Sequence, residues 1–121
     1  MLNAQLGATL YLNGSTISDN TASTDGGGVY NSGGTTNITG SIVADNFAAT
    51  GANCFDDATP GTIVSSGSNL SDDGSCPFVS AGDIQNSPNI DLNALADNGG
   101  LTETMLPQVA RMPSIMPIVV S

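Results

Sequence analysis

The chain has 121 residues, of which 39% are hydrophobic and only 4% aromatic, which is little material for a compact two-layer globule. Fifteen Gly residues, and no stretch with the apolar period of an amphipathic helix, indicate short strands and many turns, hence an all-β fold. Eleven acidic residues against one basic residue give a net charge of -10, so we expect no nucleic-acid partner and no membrane insertion.

The chain opens without a recognisable export signal. Residues 1–5 have neither a basic segment nor a long apolar run, and residues 6–10 enter a strand pattern without a cap. We therefore interpret the chain as a processed or truncated piece of a larger exported protein.

An internal repeat is the strongest pattern. Residues 12–20 align with residues 38–46, which places Gly14 over Gly40, and a third copy at residues 66–73 places Gly67 over Gly40. Between these copies, residues 26–31 align with residues 51–56. The spacing of roughly 26 residues suits one turn of a coil with about three short strands, so we predict a right-handed parallel β-helix of about three turns.

Equivalent residues of successive turns are expected to stack at about 4.8 Å. Ile17, Val43 and Leu70 form one predicted inward row, Val29 and Cys54 a second, and Tyr30 and Phe55 an aromatic pair. The predicted stacked core consists of Leu12, Ile17, Val29, Tyr30, Ile38, Val43, Phe55 and Leu70.

Asn20 and Asn46 follow the stacked aliphatic residues by three positions, where the strand should bend. Asn tolerates the left-handed conformation, and stacked copies can hydrogen-bond to one another, which predicts an asparagine ladder at a corner. The alternative is that both side chains are ligands for a glycan or a cation.

The two cysteines, Cys54 and Cys76, have no metal-ligand spacing, and the chain contains no His. A disulfide in an oxidising compartment is the interpretation we favour, and two unpaired buried thiols are the alternative. Such a bridge would stabilise the fold by about 3 kcal/mol in the chain-entropy model.

Two acidic pairs, Asp56-Asp57 and Asp72-Asp73, lie near these cysteines. Adjacent strand residues point to opposite faces, so neither pair alone makes a catalytic dyad. If the disulfide brings the loops together, the four carboxylates would be able to hold one Ca²⁺. The alternative is that they are solvated acids that cap turns.

The C-terminal tail, residues 112–121, is apolar but far too short to span a bilayer. It either lies along its own coil or donates a strand to a neighbouring copy, which would allow a homo-oligomer or a head-to-tail filament. The candidate assembly residues are Ile115, Ile118, Val119 and Val120.

Residues 26–31, Gly-Gly-Gly-Val-Tyr-Asn, resemble the GGA(I/V)xN motif of polymorphic outer-membrane proteins, and residues 17–20 and 43–46 resemble their FxxN motif. The strings Asn-Leu-Ser-Asp-Asp-Gly-Ser-Cys at residues 69–76 and Leu-Ala-Asp-Asn-Gly-Gly at residues 95–100 resemble the end of choice-of-anchor Q domain exoproteins. This resemblance covers residues 6–107 and departs from the family pattern afterwards. It implies a secreted or wall-attached β-helix, without a general activity, in which residues 1–80 form turns, 81–107 a C-terminal capping segment and 108–121 the tail.

The expected function is a non-catalytic structural or adhesive module at the cell surface, with glycans or further copies as partners and no cofactor. Polysaccharide lyases of this architecture need a basic catalytic residue and Ca²⁺ ligands, whereas this chain has no Lys and a single Arg, Arg111, in the tail. The alternative is a carbohydrate-active domain that uses Asp residues, since carboxylates alone can hydrolyse glycosides.

Overall fold

A computed structural model describes residues 1–57 and 62–87 of the chain. In these ranges the protein is all-β, with nine strands and no helix, and therefore with no helix able to cross a membrane. The strands are β1 (Leu2–Asn3), β2 (Thr9–Asn13), β3 (Thr16–Ser18), β4 (Val29–Asn31), β5 (Thr35–Thr39), β6 (Ile42–Ala44), β7 (Cys54–Asp56), β8 (Thr62–Gly67) and β9 (Leu70–Ser71).

The strands form three parallel sheets of three strands each, in the orders β1-β4-β7, β2-β5-β8 and β3-β6-β9. Each of strands β1 to β6 therefore pairs with the third strand after it, and consecutive strands belong to different sheets. Strands β1 to β3, β4 to β6 and β7 to β9 thus make three successive layers. This arrangement is compatible with the β-helix that the repeat predicts.

The apolar core lies on the inner faces of the strands. In β5 the buried residues Thr36 and Ile38 alternate with half-buried ones, which is the pattern of a strand with one face inside. Parallel pairing places Leu12 opposite Ile38, and Ile17 opposite Val43, as the repeat predicts. The core cluster comprises Leu12, Val29, Ile38, Val43, Cys54, Ile63, Cys76 and Phe78, with Leu10 and Ile17 packed against it.

The third copy of the repeat is displaced by one residue from the predicted register. Ile38 pairs with Ser65 but Thr39 pairs with Gly67, so Ser66 is an extra residue at a β-bulge. Because a one-residue shift exchanges the two faces of a strand, Leu70 lies opposite Ile42 and not opposite Val43. The prediction that Leu70 continues the inward aliphatic row is therefore wrong, and Ser71 takes that place.

The aromatic pair stacks as predicted, but on the outer face. The rings of Tyr30 and Phe55 have centroids 5.4 Å apart and an interplanar angle of 18°. In β4 the neighbours Val29 and Asn31 are buried while Tyr30 is half-buried, because successive side chains of a strand alternate between faces. Tyr30 and Phe55 are therefore not members of the core.

Residues 80–87 lie against the third layer. Ile84 forms a parallel bridge with Leu70, and its carbonyl accepts a hydrogen bond from the Ser71 N–H at 2.8 Å. The Ser68 N–H donates to the Ala81 carbonyl at 3.1 Å. Residues 81–87, the described part of the predicted capping segment 81–107, thus cover strand edges. The rest of that segment and the tail 108–121 lie outside the described residues.

Candidate functional site

Asn20 and Asn46 form a hydrogen-bonded pair between the first two layers. The Asn20 side-chain Nδ2 and backbone N–H donate to Asn46 Oδ1 at 3.0 and 3.1 Å. The left-handed conformation falls on the preceding residues, Asp19 and Asp45, each with φ of 58°. Each Asn is thereby free to bond back to the carbonyl two residues earlier, Ser18 O for Asn20 and Ala44 O for Asn46.

This first ladder continues into the third layer through Asn53. Asn46 Nδ2 donates to Asn53 Oδ1 at 2.9 Å, and Asn53 Nδ2 in turn donates to Ser71 Oγ and to an oxygen of Asp72. Asn53 is buried, and both the oxygen and the nitrogen of its side-chain amide are hydrogen-bonded, which avoids the cost of unpaired polar atoms inside the fold. Asn53 is not part of the predicted asparagine ladder, because it belongs to the other half-motif of the repeat.

A second ladder, Asn3–Asn31–Asp56, runs along the ends of β1, β4 and β7. Asn3 Nδ2 donates to Asn31 Oδ1 at 3.0 Å, and Asn31 Nδ2 donates to Asp56 Oδ1 at 3.1 Å. Asp56 Oδ2 accepts from the Ile63 N–H at 2.8 Å, which ties the corner to β8. The alignment of residues 26–31 with 51–56 places Asn31 over Asp56, and this sequence pattern could have predicted their contact.

A third ladder, Ser15–Ser41–Asn69, lies between the β2-β5-β8 and β3-β6-β9 sheets. The Ser15 N–H donates to Ser41 Oγ at 3.1 Å, and the Ser41 N–H donates to Asn69 Oδ1 at 2.9 Å. Asn69 Nδ2 donates to the Ile38 carbonyl at 2.9 Å. Each of the three corners is therefore held by polar side chains that join one layer to the next.

The four carboxylates considered as Ca²⁺ ligands accept hydrogen bonds from protein donors, and Asn53 donates to both Asp72 and Asp73. Asp57 accepts from Ser32 Oγ at 3.3 Å, Asp72 from the Asp45 N–H at 3.2 Å, and Asp73 from the Ser75 N–H at 2.9 Å, while Asp56 belongs to the second ladder. In residues 1–57 and 62–87 no three acidic, Cys or His side chains are grouped to hold a metal ion. The predicted convergence of the two Asp pairs does not occur.

Cys54 and Cys76 form a disulfide with their Cα atoms 4.8 Å apart. Both residues are buried in the core cluster, and the Cys54 N–H donates to Ser75 Oγ at 2.9 Å. The bond therefore joins β7 to the segment that follows β9.

Asp83 is held at the third layer by several donors. Its Oδ2 accepts a hydrogen bond from Ser65 Oγ and a second one, of 2.8 Å, from the Ser80 N–H. Its Oδ1 accepts from the Asn69 N–H at 2.9 Å. Burial acts to raise the pKa of Asp83, but these hydrogen bonds favour the carboxylate and lower its pKa below the ordinary value. Asp83 lies beyond the repeat, so the repeat does not predict its role.

The outer face of the β2-β5-β8 sheet carries aligned polar side chains. Thr9, Thr35 and Thr62 are in register across the three strands. Tyr11 and Asn37 are likewise opposite one another, and Tyr11 is 66% exposed. This face is the largest regular outer surface among the described strands, since β2, β5 and β8 are the longest.

The candidate assembly residues Ile115, Ile118, Val119 and Val120 lie outside the described residues. Comparison with family models, curated proteins and solved structures gave no match.

Proposed function

We propose that the chain is a right-handed parallel β-helix module with a structural and adhesive role at the outside of a cell. The observation that carries this proposal is the set of three corner ladders, of which Asn3–Asn31–Asp56 crosses all three layers by side-chain hydrogen bonds. An amide has both a donor and an acceptor, so equivalent Asn residues can extend such a ladder as layers are added. A fold of this kind grows by repetition and suits a rigid spacer.

The involvement of Asp residues in backbone contacts supports a structural role. Asp56, Asp72 and Asp73 each accept hydrogen bonds from main-chain N–H groups of another strand or turn. A carboxylate that holds the backbone in this way stabilises the fold, and its removal would leave the donors unpaired. The hydrogen bonds that these three carboxylates accept are therefore part of what holds the fold together.

The buried disulfide supports the proposed location. Disulfides form and persist in oxidising environments such as the cell exterior and the periplasm. The resemblance of residues 6–107 to choice-of-anchor Q and polymorphic outer-membrane proteins points the same way. Titration of free thiols in the protein isolated from its native compartment tests this part: we expect none, and two reactive thiols per chain would contradict it.

Catalysis is tested by incubating the purified chain with neutral and acidic polysaccharides and measuring new reducing ends. We expect no turnover. Turnover that Asp45→Asn or Asp72→Asn abolishes would overturn the structural role and establish a carbohydrate-active domain that uses Asp residues.

The self-assembly that we propose for the tail is tested by light scattering after size exclusion. The full chain should elute as a dimer or a longer assembly, and deletion of residues 115–121 should yield a monomer. A monomeric full chain would reject head-to-tail assembly while leaving the proposed fold intact.

A further inference from the structure

The outer face of the β2-β5-β8 sheet presents eight aligned side chains, which we call the threonine face. They form a row of Thr9, Thr35 and Thr62, a row of Tyr11, Asn37 and Val64, and a pair of Asn13 and Thr39. Neighbouring strands of a sheet lie about 4.8 Å apart, and every second residue of a strand recurs at roughly 6.6 Å. The face is therefore a regular grid with two fixed repeats.

The polar groups of this face are available to a ligand. Among the described residues, the side chains of Asn13, Thr35 and Asn37 make no hydrogen bond to the protein, in contrast to the inward and corner side chains of Asn31, Asn53 and Asn69, all of which are bonded. Hydroxyl and amide groups supply both donors and acceptors. Because sheet hydrogen bonds already fix the backbone beneath them, the protein loses little conformational entropy when a ligand binds.

The charge of the face selects the class of ligand. The face contains no Asp, Glu, Lys or Arg side chain, whereas the whole chain carries a net charge of -10. An acidic polymer would be repelled by the net negative charge of the chain, and a basic one would find no charged partner on the face itself. A neutral ligand meets neither obstacle.

The face also offers apolar contact beside its polar groups. Tyr11 and Val64 are both exposed and belong to the same row, and the Thr side chains add methyl groups. Sugar rings combine apolar C–H surfaces with hydroxyl groups, and binding sites for such ligands join aromatic side chains to a few placed polar groups. A linear polysaccharide repeats along its length, as the rows of this face do.

We infer that the threonine face binds a neutral, extended polysaccharide, with Tyr11 packing against a sugar ring and Thr35 and Asn37 bonding to its hydroxyl groups. This inference rests on the proposed adhesive role and assigns a surface and a ligand class to it. It does not depend on the tail or on any assembly.

The experiment is a sedimentation assay of the full chain with suspended cellulose, chitin and a linear β-1,3-glucan, and a mobility-shift assay with polygalacturonate as the acidic comparison. The variants are Tyr11→Ala, which removes the aromatic contact, and Thr35→Asp, which adds a charge to the middle strand. Phe47→Ala is the matched control, because Phe47 is equally exposed but lies outside the face. Circular dichroism and thermal unfolding confirm that each variant is folded.

We expect the wild type to bind at least one of the neutral polymers and to leave polygalacturonate unshifted. Tyr11→Ala and Thr35→Asp should each weaken the apparent affinity about tenfold or more, as loss of an interface anchor does, with Phe47→Ala unchanged. Absence of binding to all three neutral polymers, or equal binding by folded Tyr11→Ala and Thr35→Asp variants, would overturn the inference and leave the structural role standing. Release of new reducing ends from a bound polymer would instead overturn the non-catalytic role.

Discussion

Asn31 Nδ2 donates a hydrogen bond to Asp56 Oδ1 at 3.1 Å, across two layers of the fold and between residues 25 positions apart in the chain. Asn31 is completely buried, and its Oδ1 also accepts from Asn3 Nδ2 and from Thr36 Oγ1. One side chain therefore joins all three layers of the β1-β4-β7 corner. Its partners would be left unpaired by its removal, which makes it the most sensitive position of the ladder.

We predict that Asn31→Ala lowers the free energy of unfolding by about 2 to 4 kcal/mol, because it leaves buried polar partners without hydrogen bonds and opens a small cavity. Asn37→Ala is the control, since Asn37 points outward from β5 and should change stability by less than about 0.5 kcal/mol. Urea denaturation followed by far-ultraviolet circular dichroism measures both. Equal effects of the two substitutions would show that the Asn31 contacts do not stabilise the fold.

Reduction of the Cys54–Cys76 disulfide should lower the free energy of unfolding by about 3 kcal/mol in the chain-entropy model, because the loop it closes becomes unconstrained in the unfolded chain. The measurement is denaturation with and without dithiothreitol. A Cys54→Ser/Cys76→Ser double variant should match the reduced wild type and be insensitive to the reductant. A wild type that is equally insensitive would contradict the bond.

The stability of the protein should depend on Asp83 in acid. Its folded-state pKa is lowered, so its contribution is complete above the unfolded-state pKa of about 3.9 and is lost as the pH falls through the folded-state value. The stability difference between the wild type and Asp83→Asn should therefore be constant from pH 7 to about pH 5 and shrink below about pH 4. Ser65→Ala, which removes a donor, should raise the Asp83 pKa as followed by NMR; an unchanged pKa would refute the assigned contact.

The β-bulge at Ser66 predicts unequal effects of two substitutions that the repeat treats as equivalent. Val43 is 0% exposed, whereas Leu70 is half-buried because the bulge turns it away from the inward row. Val43→Ala should cost about 2 kcal/mol or more and Leu70→Ala less than that, although Leu loses more atoms. Thermal unfolding checks the order, and a larger loss for Leu70→Ala would favour the unshifted register.

The sequence repeat predicts the pairing of the first two layers, because Ile17 and Val43 stand at the same place in two copies without an insertion. It does not predict the third layer, because Gly67 matches Gly40 by residue type while it occupies the place of Thr39. A single inserted residue is invisible to an alignment of short, Gly- and Ser-rich segments. The structure reveals it through the change of register between the Ile38–Ser65 and Thr39–Gly67 pairs.

The polar sites were harder to predict than the core. Asn20 and Asn46 are recognisable because they recur in both copies, but Asn53 and Asp83 each occur once and act on residues of another half-motif. The predicted grouping of four carboxylates around one Ca²⁺ is wrong for a related reason. That an Asp lies near a disulfide in sequence does not determine which backbone N–H its carboxylate contacts. Side-chain partners across layers depend on register, which composition does not encode.

NMR measurement of cross-strand proton contacts tests whether strands β1 to β6 each pair in parallel with the third strand after them. We expect contacts of Thr35 with both Thr9 and Thr62, and of Ile17 with Val43, all in parallel register. Antiparallel contacts between strands adjacent in sequence, such as β2 with β3, would contradict the layered fold and the proposals built on it.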